Sequence, residues 1–425
     1  IRPFDRGADG TMLGEGVGVV VLKRREDAER DGDRIYAIVK GIGSASDGRA
    51  LGVLAPRLEG EVLAMRRAYE VSGISPRTIG LIEAHGTATP VGDATEIQAL
   101  RQVFGERVGA PSCALGSVKS MIGHTLPAAG AAGLIKVALA LYYKVLPPPL
   151  HCEEPDPRLE LEQSPFYLNS ETRPWIHGSV DAPRRAGVNA FGFGGINAHV
   201  VLEEYIPARA AHASVGAIDA PVVVSLHDEW DSEVLILTGD SRADLVARGE
   251  ALLREIGGRQ AFALKDLAYT LNVAQARADA ATRLTIVAAT PAQAHAKLAH
   301  ALERLRDRTC VRIKDRSGIY FFAEPLGTQG RLAFMFPGEG SQYIDMLADL
   351  CMHFPEVRAS FDLMDRAFLD HARGYLPSQL IFPPPGGARF QGGWLPEPAF
   401  GYNDLSTIDR GELPDRLVRI RPLLR

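Results

Sequence analysis

Residues 1–205 alternate between two patterns of hydrophobic positions. Short β-branched or apolar runs predict buried strands, and longer stretches with apolar residues three and four apart predict helices. The predicted strands cover residues 14–24, 79–84 and 114–118, and the predicted helices cover residues 62–71, 95–104 and 128–143. Strands and helices that alternate in this order predict a layered α/β core.

A second, smaller unit follows an Ala/Pro-rich stretch around residues 206–232. Its predicted strands and helices cover residues 234–237, 241–257, 284–288 and 290–305. Ser241 and Asp244 form a capping-box pattern at the first helix, and Thr290 with Pro291 marks the start of the second. The pattern predicts a small α+β module without residues that suggest chemistry.

The sequence "RLAFMFPGEGSQY" opens a third segment at Arg331 with an apolar strand and a Pro-Gly turn. After about residue 380 the chain becomes rich in Pro and Gly and loses its periodicity. We expect that part to be poorly ordered.

Composition narrows the class of protein. A chain of 425 residues predicts two or three domains, and 46% hydrophobic with 23% charged residues is typical of a soluble globular protein. A net charge of −5 without a basic block argues against nucleic acid or a membrane surface as partner.

We find no signal peptide and expect no membrane span. The four cysteines form no C-x-x-C pair, which favours a reducing, cytoplasmic compartment. The chain opens at Ile1 and not at Met, which we interpret as a piece of a longer protein.

His85 is the first candidate for chemistry, because it ends an apolar run and opens "HGTATPVGDATE". Taken alone, a histidine at a strand end more often bonds to backbone than acts in catalysis. Asp93 and Glu96 form a capping-box pattern at the following helix. Thr87 and Thr89 are compatible with ordinary turn residues.

A second cluster, "GSVKSMIGHTLPAAGAAGLIK", carries Lys119 and His124 after the next apolar run. Sites in open α/β sheets form beyond the carboxyl ends of strands. Two neutral imidazoles there could donate hydrogen bonds to one carbonyl oxygen. A nearby lysine paired with Asp93 or Glu96 would fix the protonation states of the groups in this cluster and the geometry of the loop. Taken alone, Lys119 is more simply a solvated loop lysine.

Two glycine-containing loops are less specific. In "GVNAFGFGGINAHVVLEE", Gly192, Gly194 and Gly195 allow positive φ, so a structural turn is the default and a flexible Phe193 beside a pocket is the sharper hypothesis. The run is not G-x-G-x-x-G, so a phosphate cradle is weakly supported. No G-x-S-x-G nucleophile elbow occurs, which leaves residues 338–342 as an accessory loop or a turn.

These motifs, in their order along residues 1–205, resemble the C-terminal half of a β-ketoacyl synthase domain from a type I polyketide synthase. Residues 206–330 resemble the ketosynthase–acyltransferase linker, and residues 331–425 resemble the truncated start of an acyltransferase domain, with a tail that we expect to be disordered. The resemblance implies an α/β chain: the C-terminal half of a thiolase-like layered α-β-α fold, a small α+β linker domain, and the start of an α/β acyltransferase domain. Some motif spellings resemble iterative enzymes of the enediyne or polyunsaturated-fatty-acid type.

The resemblance also implies roles for single residues. His85 and His124 match the two histidines of a Cys-His-His site, which promote decarboxylation of malonyl carrier protein and stabilise the attacking carbanion. Lys119 matches the lysine that supports this network, with Asp93 and Glu96 at the matching acidic positions.

Further residues match the substrate channel and the acyltransferase loop. Thr87 and Thr89 match threonines that hydrogen-bond the phosphopantetheine arm. Phe193 matches a gating phenylalanine at the substrate pocket, and Gly194, Gly195 and Asn197 lie in the same loop. Glu339 stands where Gln is usual in the acyltransferase loop, with Gln342 nearby, and a backbone N–H there could still serve an oxyanion hole. Ile196 stands where the family often has Thr.

The implied partners are an acyl carrier protein, which carries the phosphopantetheine, malonyl and acyl thioesters, and a second copy in a homodimeric synthase. No metal and no directly bound cofactor are implied. The family nucleophile is a cysteine in an Ala-Cys-Ser elbow, and no cysteine of the chain has that context. We therefore expect no condensation by the chain alone. A non-catalytic docking module and a thiolase-like enzyme without decarboxylation are the alternatives.

Overall fold

The computed structural model describes residues 1–384 except 49–51, 53–54, 110, 179–182, 193, 208–229, 258–261, 276–279, 325–330, 332, 336–340 and 370–375. Its contacts divide the chain into two compact units, Ile1–Leu226 with Gly340–Arg425, and His227–Glu339. The tail that we expect to be disordered and Glu339 of the predicted acyltransferase loop lie outside the described residues.

A six-stranded mixed sheet forms the framework of the first unit. Its strands are β1 (Ile38–Ser46), β2 (Leu81–Glu83), β3 (Cys113–Gly116), β5 (Phe166–Leu168), β7 (Arg185–Gly192) and β8 (Ile196–Glu203). A separate antiparallel pair consists of β4 (Val145–Leu146) and β6 (Arg173–Pro174). The order across the sheet is β1-β8-β7-β2-β3-β5. Strands β7, β2, β3 and β5 run parallel, and β8 is antiparallel to both β1 and β7.

Helices cover both faces of this sheet. They are α1 (Arg25–Asp31), α2 (Leu58–Ser72), α3 (Pro90–Phe104), α4 (Lys119–Ile122) and α5 (Ala129–Tyr143). Successive strand residues point to opposite faces, so Ile82 packs in the core with α2 and α3, whereas Leu81 packs with α5. The layered α/β arrangement predicted for this part of the chain is confirmed.

Helix α2 ends as its sequence predicts, and α3 does not begin where predicted. Gly73 closes α2 in the left-handed conformation, with φ of 65°. Helix α3 begins at Pro90, so Asp93 and Glu96 lie inside the helix and form no capping box at its start. The predicted cap was wrong because the helix begins at Pro90 and not at residue 95; proline suits the first position, where its missing N–H costs no helical bond.

The strand predicted over residues 14–24 is absent from the structure. Val17 and Val21 are 93% and 92% exposed, and Leu13 makes only an isolated bridge to His124. A strand needs a neighbouring backbone for its hydrogen bonds, and no described strand lies beside these residues. The β-branched pattern of these residues was therefore not sufficient to form a strand.

Residues 126–143 are long and apolar enough to span a membrane by length and composition, contrary to the expectation that no such segment exists. Within that range, α5 packs on the sheet with Val137 and Leu141, and Lys136 forms an ion pair with Glu83. These contacts are typical of a core helix.

The second unit contains an antiparallel sheet of order β11-β12-β10-β9. Its elements are β9 (Glu233–Gly239), α6 (Arg242–Gly257), α7 (Leu264–Tyr269), β10 (Thr282–Ala288), α8 (Pro291–Arg306), β11 (Arg312–Asp315) and β12 (Ile319–Phe322). The Thr290 hydroxyl accepts the Gln293 N–H at 3.2 Å, and the Ser241 hydroxyl accepts the Asp244 N–H at 3.1 Å. The predicted caps of α6 and α8 and the α+β character of this unit are confirmed.

Among the described residues after position 340, three helices belong to the first unit: α9 (Ala348–His353), α10 (Pro355–Ala367) and α11 (Pro377–Ile381). Phe361 and Phe382 pack with Cys351 and with Ile176 from the segment after β6. The Arg184 guanidinium contacts both oxygens of Asp362, at 2.9 and 2.7 Å. Residues of α10 are thereby joined to the start of β7.

Candidate active site

His85 and His124 meet just beyond the carboxyl ends of two adjacent parallel strands. His85 lies two residues after β2, and His124 follows β3 and the short helix α4. Their ring centroids are 5.5 Å apart and the ring planes are inclined by 83°. Phe191 at the end of β7 contributes a third ring, 6.1 Å from that of His85. The two strand ends thus deliver both imidazoles to one place.

The tautomer of His124 is fixed by its own loop. Nδ1 accepts a hydrogen bond from the Leu126 N–H at 3.1 Å, so the proton of the neutral ring lies on Nε2. The main chain of His124 is held by Met12 and Gly14, through bonds of 2.8 and 3.0 Å. Nε2 is therefore a preformed donor.

The surroundings of both histidines favour the neutral imidazole. Burial, followed by the charge of Lys119 and by His124, holds the pKa of His85 well below its usual value. Burial and Lys119 also lower the pKa of His124. A neutral imidazole can donate its N–H hydrogen bond to a carbonyl oxygen as negative charge develops on that oxygen.

Glu96 holds the main chain of the loop that carries His85. One oxygen accepts the His85 N–H at 2.7 Å and the other accepts the Gly86 N–H at 2.8 Å. Gly86 has φ of +40°, and a Cβ there would lie 2.9 Å from the Cβ of Ser117. The loop needs glycine at this position and a carboxylate on α3 to shape it.

Asp93 ties the same loop to the start of the chain. Its carboxylate accepts N–H groups from Phe4 at 2.8 Å and Ala88 at 3.1 Å. Burial raises the pKa of Asp93 to about 7, although these backbone bonds oppose the shift. The hydroxyls of Thr87 and Thr89 form a hydrogen bond of 3.0 Å with each other on the same loop.

Lys119 is buried at the start of α4, and its predicted direct pairing with Asp93 or Glu96 is not formed. In the described parts of the chain no carboxylate oxygen lies within ion-pair distance of its ammonium. Burial lowers the pKa of Lys119, and the charges of Glu96, Glu83 and Asp93 oppose that shift. The acids act on Lys119 through space because Asp93 and Glu96 already bond to main-chain N–H groups.

Glu83 and Lys136 belong to this site and were missed by sequence reasoning. Lys136 Nζ lies 2.8 Å from Glu83 Oε2, and the other oxygen of Glu83 accepts the Val118 N–H. The Glu83 side chain is buried, and that of Lys136 is 10% exposed. The available signal was an acid at the last-but-one position of the apolar run 79–84, just before His85.

The turn between β7 and β8 carries the predicted gate. Gly194 and Gly195 have φ of 84° and 74°, as predicted, whereas Phe193 lies outside the described residues. The Asn197 amide donates to Asp47 Oδ1 at 2.6 Å, which anchors the turn to the loop after β1. Ile196 is exposed. Of the acyltransferase loop, Gln342 is described and exposed.

Three of the four cysteines, Cys113, Cys152 and Cys351, are poor nucleophiles in this environment. Cys113 is buried in β3, and burial raises its pKa far above the ordinary value. Burial and the charges of Asp5 and Asp93 raise the pKa of Cys152 to about 12. Cys351 has its pKa raised to about 11 by burial. These groups remain thiols at neutral pH, and the thiolate is the reactive form.

Comparison with known families identifies this arrangement. Residues 36–153 match the β-ketoacyl synthase C-terminal domain, residues 155–238 match the ketoacyl-synthetase C-terminal extension, and residues 1–28 match part of the β-ketoacyl synthase N-terminal domain. The chain therefore belongs to the β-ketoacyl synthases, which have a thiolase-like fold.

Its relatives define the kind of synthase. The chain is 41% identical over 378 residues to a phenolphthiocerol/phthiocerol polyketide synthase protein of Mycobacterium tuberculosis, covering 87% of this chain and 24% of the relative. It is 36% identical over 389 residues to a polyunsaturated fatty acid synthase protein of Thraustochytrium sp., covering 86% of this chain and 13% of the relative. The chain carries part of a ketosynthase domain of the type I polyketide synthases, and it spans a quarter or less of these relatives.

A solved ketosynthase, from module 6 of the bacillaene synthase of Bacillus subtilis 168, is 38% identical to the chain. The match covers 71% of this chain and 49% of that one, with a TM-score of 0.47.

Proposed function

We propose that the chain contributes the histidine pair to a decarboxylative Claisen condensation in a type I polyketide or related fatty acid synthase. The observation that carries this proposal is the meeting of His85 and His124, both neutral, with Nε2 of His124 protonated by virtue of its bond from Leu126.

The chemistry follows from two neutral donors. The C–C bond to the malonyl carboxylate breaks, CO₂ leaves, and the electron pair becomes an enolate of the thioester. N–H donors from the two histidines, Nε2–H in the case of His124, stabilise the charge on the thioester oxygen. The enolate carbon then forms a bond to the carbonyl carbon of the acyl-enzyme, and the enzyme thiolate leaves. We propose no metal and no directly bound cofactor for either step.

Positioning residues complete this proposal. Lys119, Asp93 and Glu96 support the histidine network. Thr87 and Thr89 hydrogen-bond the phosphopantetheine arm of an acyl carrier protein. The gate consists of Phe193, Gly194, Gly195 and Asn197.

The wider proposal concerns the whole protein. Residues 1–205 are the ketosynthase half, 206–330 the linker domain and 331–425 the start of an acyltransferase domain, whose loop includes Glu339 and Gln342. The synthase is cytoplasmic and homodimeric, and it acts as an acyltransferase on malonyl and acyl thioesters. Its relatives are themselves synthases, which supports this assignment.

The test is a decarboxylation assay on the full chain with malonyl-pantetheine, because loss of CO₂ requires no nucleophilic cysteine. We expect acetyl-pantetheine and CO₂, with a rate reduced about 10²-fold or more in His85→Ala and His124→Ala. His295→Ala, at an exposed position of the second unit, is the matched control. Equal rates in wild type and both variants would contradict the proposal.

Condensation is a separate question. The chain alone should yield no β-ketoacyl product from acyl and malonyl thioesters, because none of its cysteines stands in an Ala-Cys-Ser elbow. Addition of a ketosynthase N-terminal half with its cysteine should restore product. Binding of a carrier protein without any loss of CO₂ would favour the alternative, a docking module.

A further inference from the structure

Three buried side chains form a hydrogen-bonded relay from the His85 loop into the sheet. Asn189 Nδ2 donates to Glu96 Oε1 at 2.8 Å, and His199 Nδ1 lies 2.6 Å from Asn189 Oδ1. Glu96, Asn189 and His199 are 3%, 2% and 0% exposed. Buried polar groups of this kind are costly unless each finds its partner, so the relay is a specific arrangement.

The direction of each bond in the relay follows from its neighbour. A carboxylate only accepts, so the Asn189 amide must present its NH₂ to Glu96 and its oxygen to His199. The oxygen in turn requires the proton of His199 on Nδ1. The other nitrogen, Nε2, is buried and has no partner among the described residues. Burial lowers the pKa of His199 to about 3, so the ring stays neutral.

The His199 ring is held in one place. Asn189 and His199 are direct partners across β7 and β8. A Cβ on Gly187 would come within 2.7 Å of His199 Cε1, so glycine at that position makes room for the ring. Tyr69 packs against the other side, with 5.1 Å between ring centroids. A ring fixed in this way can aim its N–H at one acceptor.

We propose that Asn189 and His199 are positioning residues that set the location of His85 through Glu96. His199 orients the amide of Asn189, the amide fixes the carboxylate, and the carboxylate holds the His85 and Gly86 N–H groups. The Asn189 amide accepts a hydrogen bond from His199 and donates one to Glu96. Neither Asp nor Leu at position 189 could do both. The effect of the relay on catalysis rests on the proposed function, whereas its effect on the placement of the His85 loop does not.

Hydrogen exchange of the His85 and Gly86 amides in the full chain tests the placement. His199→Leu removes the donor, and His199→Asn retains an N–H close to the position of Nδ1. We expect exchange about tenfold faster in His199→Leu and near wild type in His199→Asn. Equal exchange in the two variants would overturn the proposal.

Two further measurements separate the possible failures. In the CO₂ assay, His199→Leu should lower kcat with little change in KM, and His199→Asn should restore it. If wild type releases no CO₂, the proposed function fails, and amide exchange alone decides the relay. If His199→Leu does not fold, the long-range ¹H–¹⁵N spectrum of wild type decides: a proton on Nδ1 of His199 supports the relay, and a proton on Nε2 overturns it.

Discussion

Glu83 and Lys136 form a buried ion pair, 2.8 Å long, that joins strand β2 to helix α5. His85 follows Glu83 by two residues, and His124 precedes α5 by five. The pair therefore connects the two elements whose ends carry the histidines. The second oxygen of Glu83 also holds the Val118 N–H, so Glu83 fixes the entry to α4 as well.

Removing the cation of this pair should be strongly destabilising. Lys136→Met leaves Glu83 charged and buried without its partner, and we expect the free energy of unfolding of the first unit to fall by about 3–5 kcal/mol. The double variant Glu83→Gln/Lys136→Met should recover part of that loss. Urea unfolding measures both.

The matched control is the exposed pair of Arg306 and Glu250 in the second unit. Glu250→Gln should cost less than about 1 kcal/mol, because solvent screens an exposed pair. If Lys136→Met lowers the free energy of unfolding as little as this control does, the ion pair with Lys136 does not stabilise a buried charge on Glu83.

Glu61 predicts a pH dependence of stability. Burial, with the charges of Glu96 and Asp47, raises its pKa to about 9 from 4.5. The folded state then binds more protons than the unfolded state between these two values, so stability falls as pH rises from about 4.5 to 9. Glu61→Gln removes this contribution and should stabilise the chain by on the order of 1–3 kcal/mol at pH 9, with little effect at pH 4.

Thermal unfolding across that pH range checks the prediction for Glu61. Glu59→Gln, at an exposed position of the same helix, is the control and should follow the wild-type pH profile. A wild-type-like profile for Glu61→Gln would mean that Glu61 is ionised in the folded chain.

The attachment of α10 depends on Asp362. Its carboxylate accepts both the Arg184 guanidinium and the His177 N–H, the latter at 2.6 Å. Asp362→Asn leaves Arg184 buried with less compensation, and we expect amides in α10 to exchange at least about tenfold faster. Ser360→Ala, on an exposed position of the same helix, should leave exchange unchanged. Equal protection in both variants would contradict the role of this ion pair.

Local signals in the sequence predicted those features that local physics decides. Gly73 ends α2, and Thr290 with Pro291 starts α8, because each acts within one helical turn. The alternation of strands and helices predicted the layered core for the same reason. The motifs also placed His85 and His124 on neighbouring strand ends, which the parallel pairing of β2 and β3 then brings together.

Features that depend on distant partners were not predictable in this way. The stretch from residue 14 to residue 24 has the composition of a strand but no described strand beside it. Glu96 resembled a helix cap, yet its oxygens bind the His85 loop and an amide on β7. The contact between Asn189 and His199 was not predicted, because nothing in the local sequence shows that the pairing of β7 and β8 places them side by side in the sheet.

The central claim is that His85 and His124 form a neutral pair, with His124 donating from Nε2. A long-range ¹H–¹⁵N spectrum of the imidazoles in the full chain at pH 7 tests it most directly. We predict that neither ring is an imidazolium and that Nδ1 of His124 carries no proton, since it accepts the Leu126 N–H. An imidazolium at either position, or a proton on Nδ1 of His124, would contradict the account.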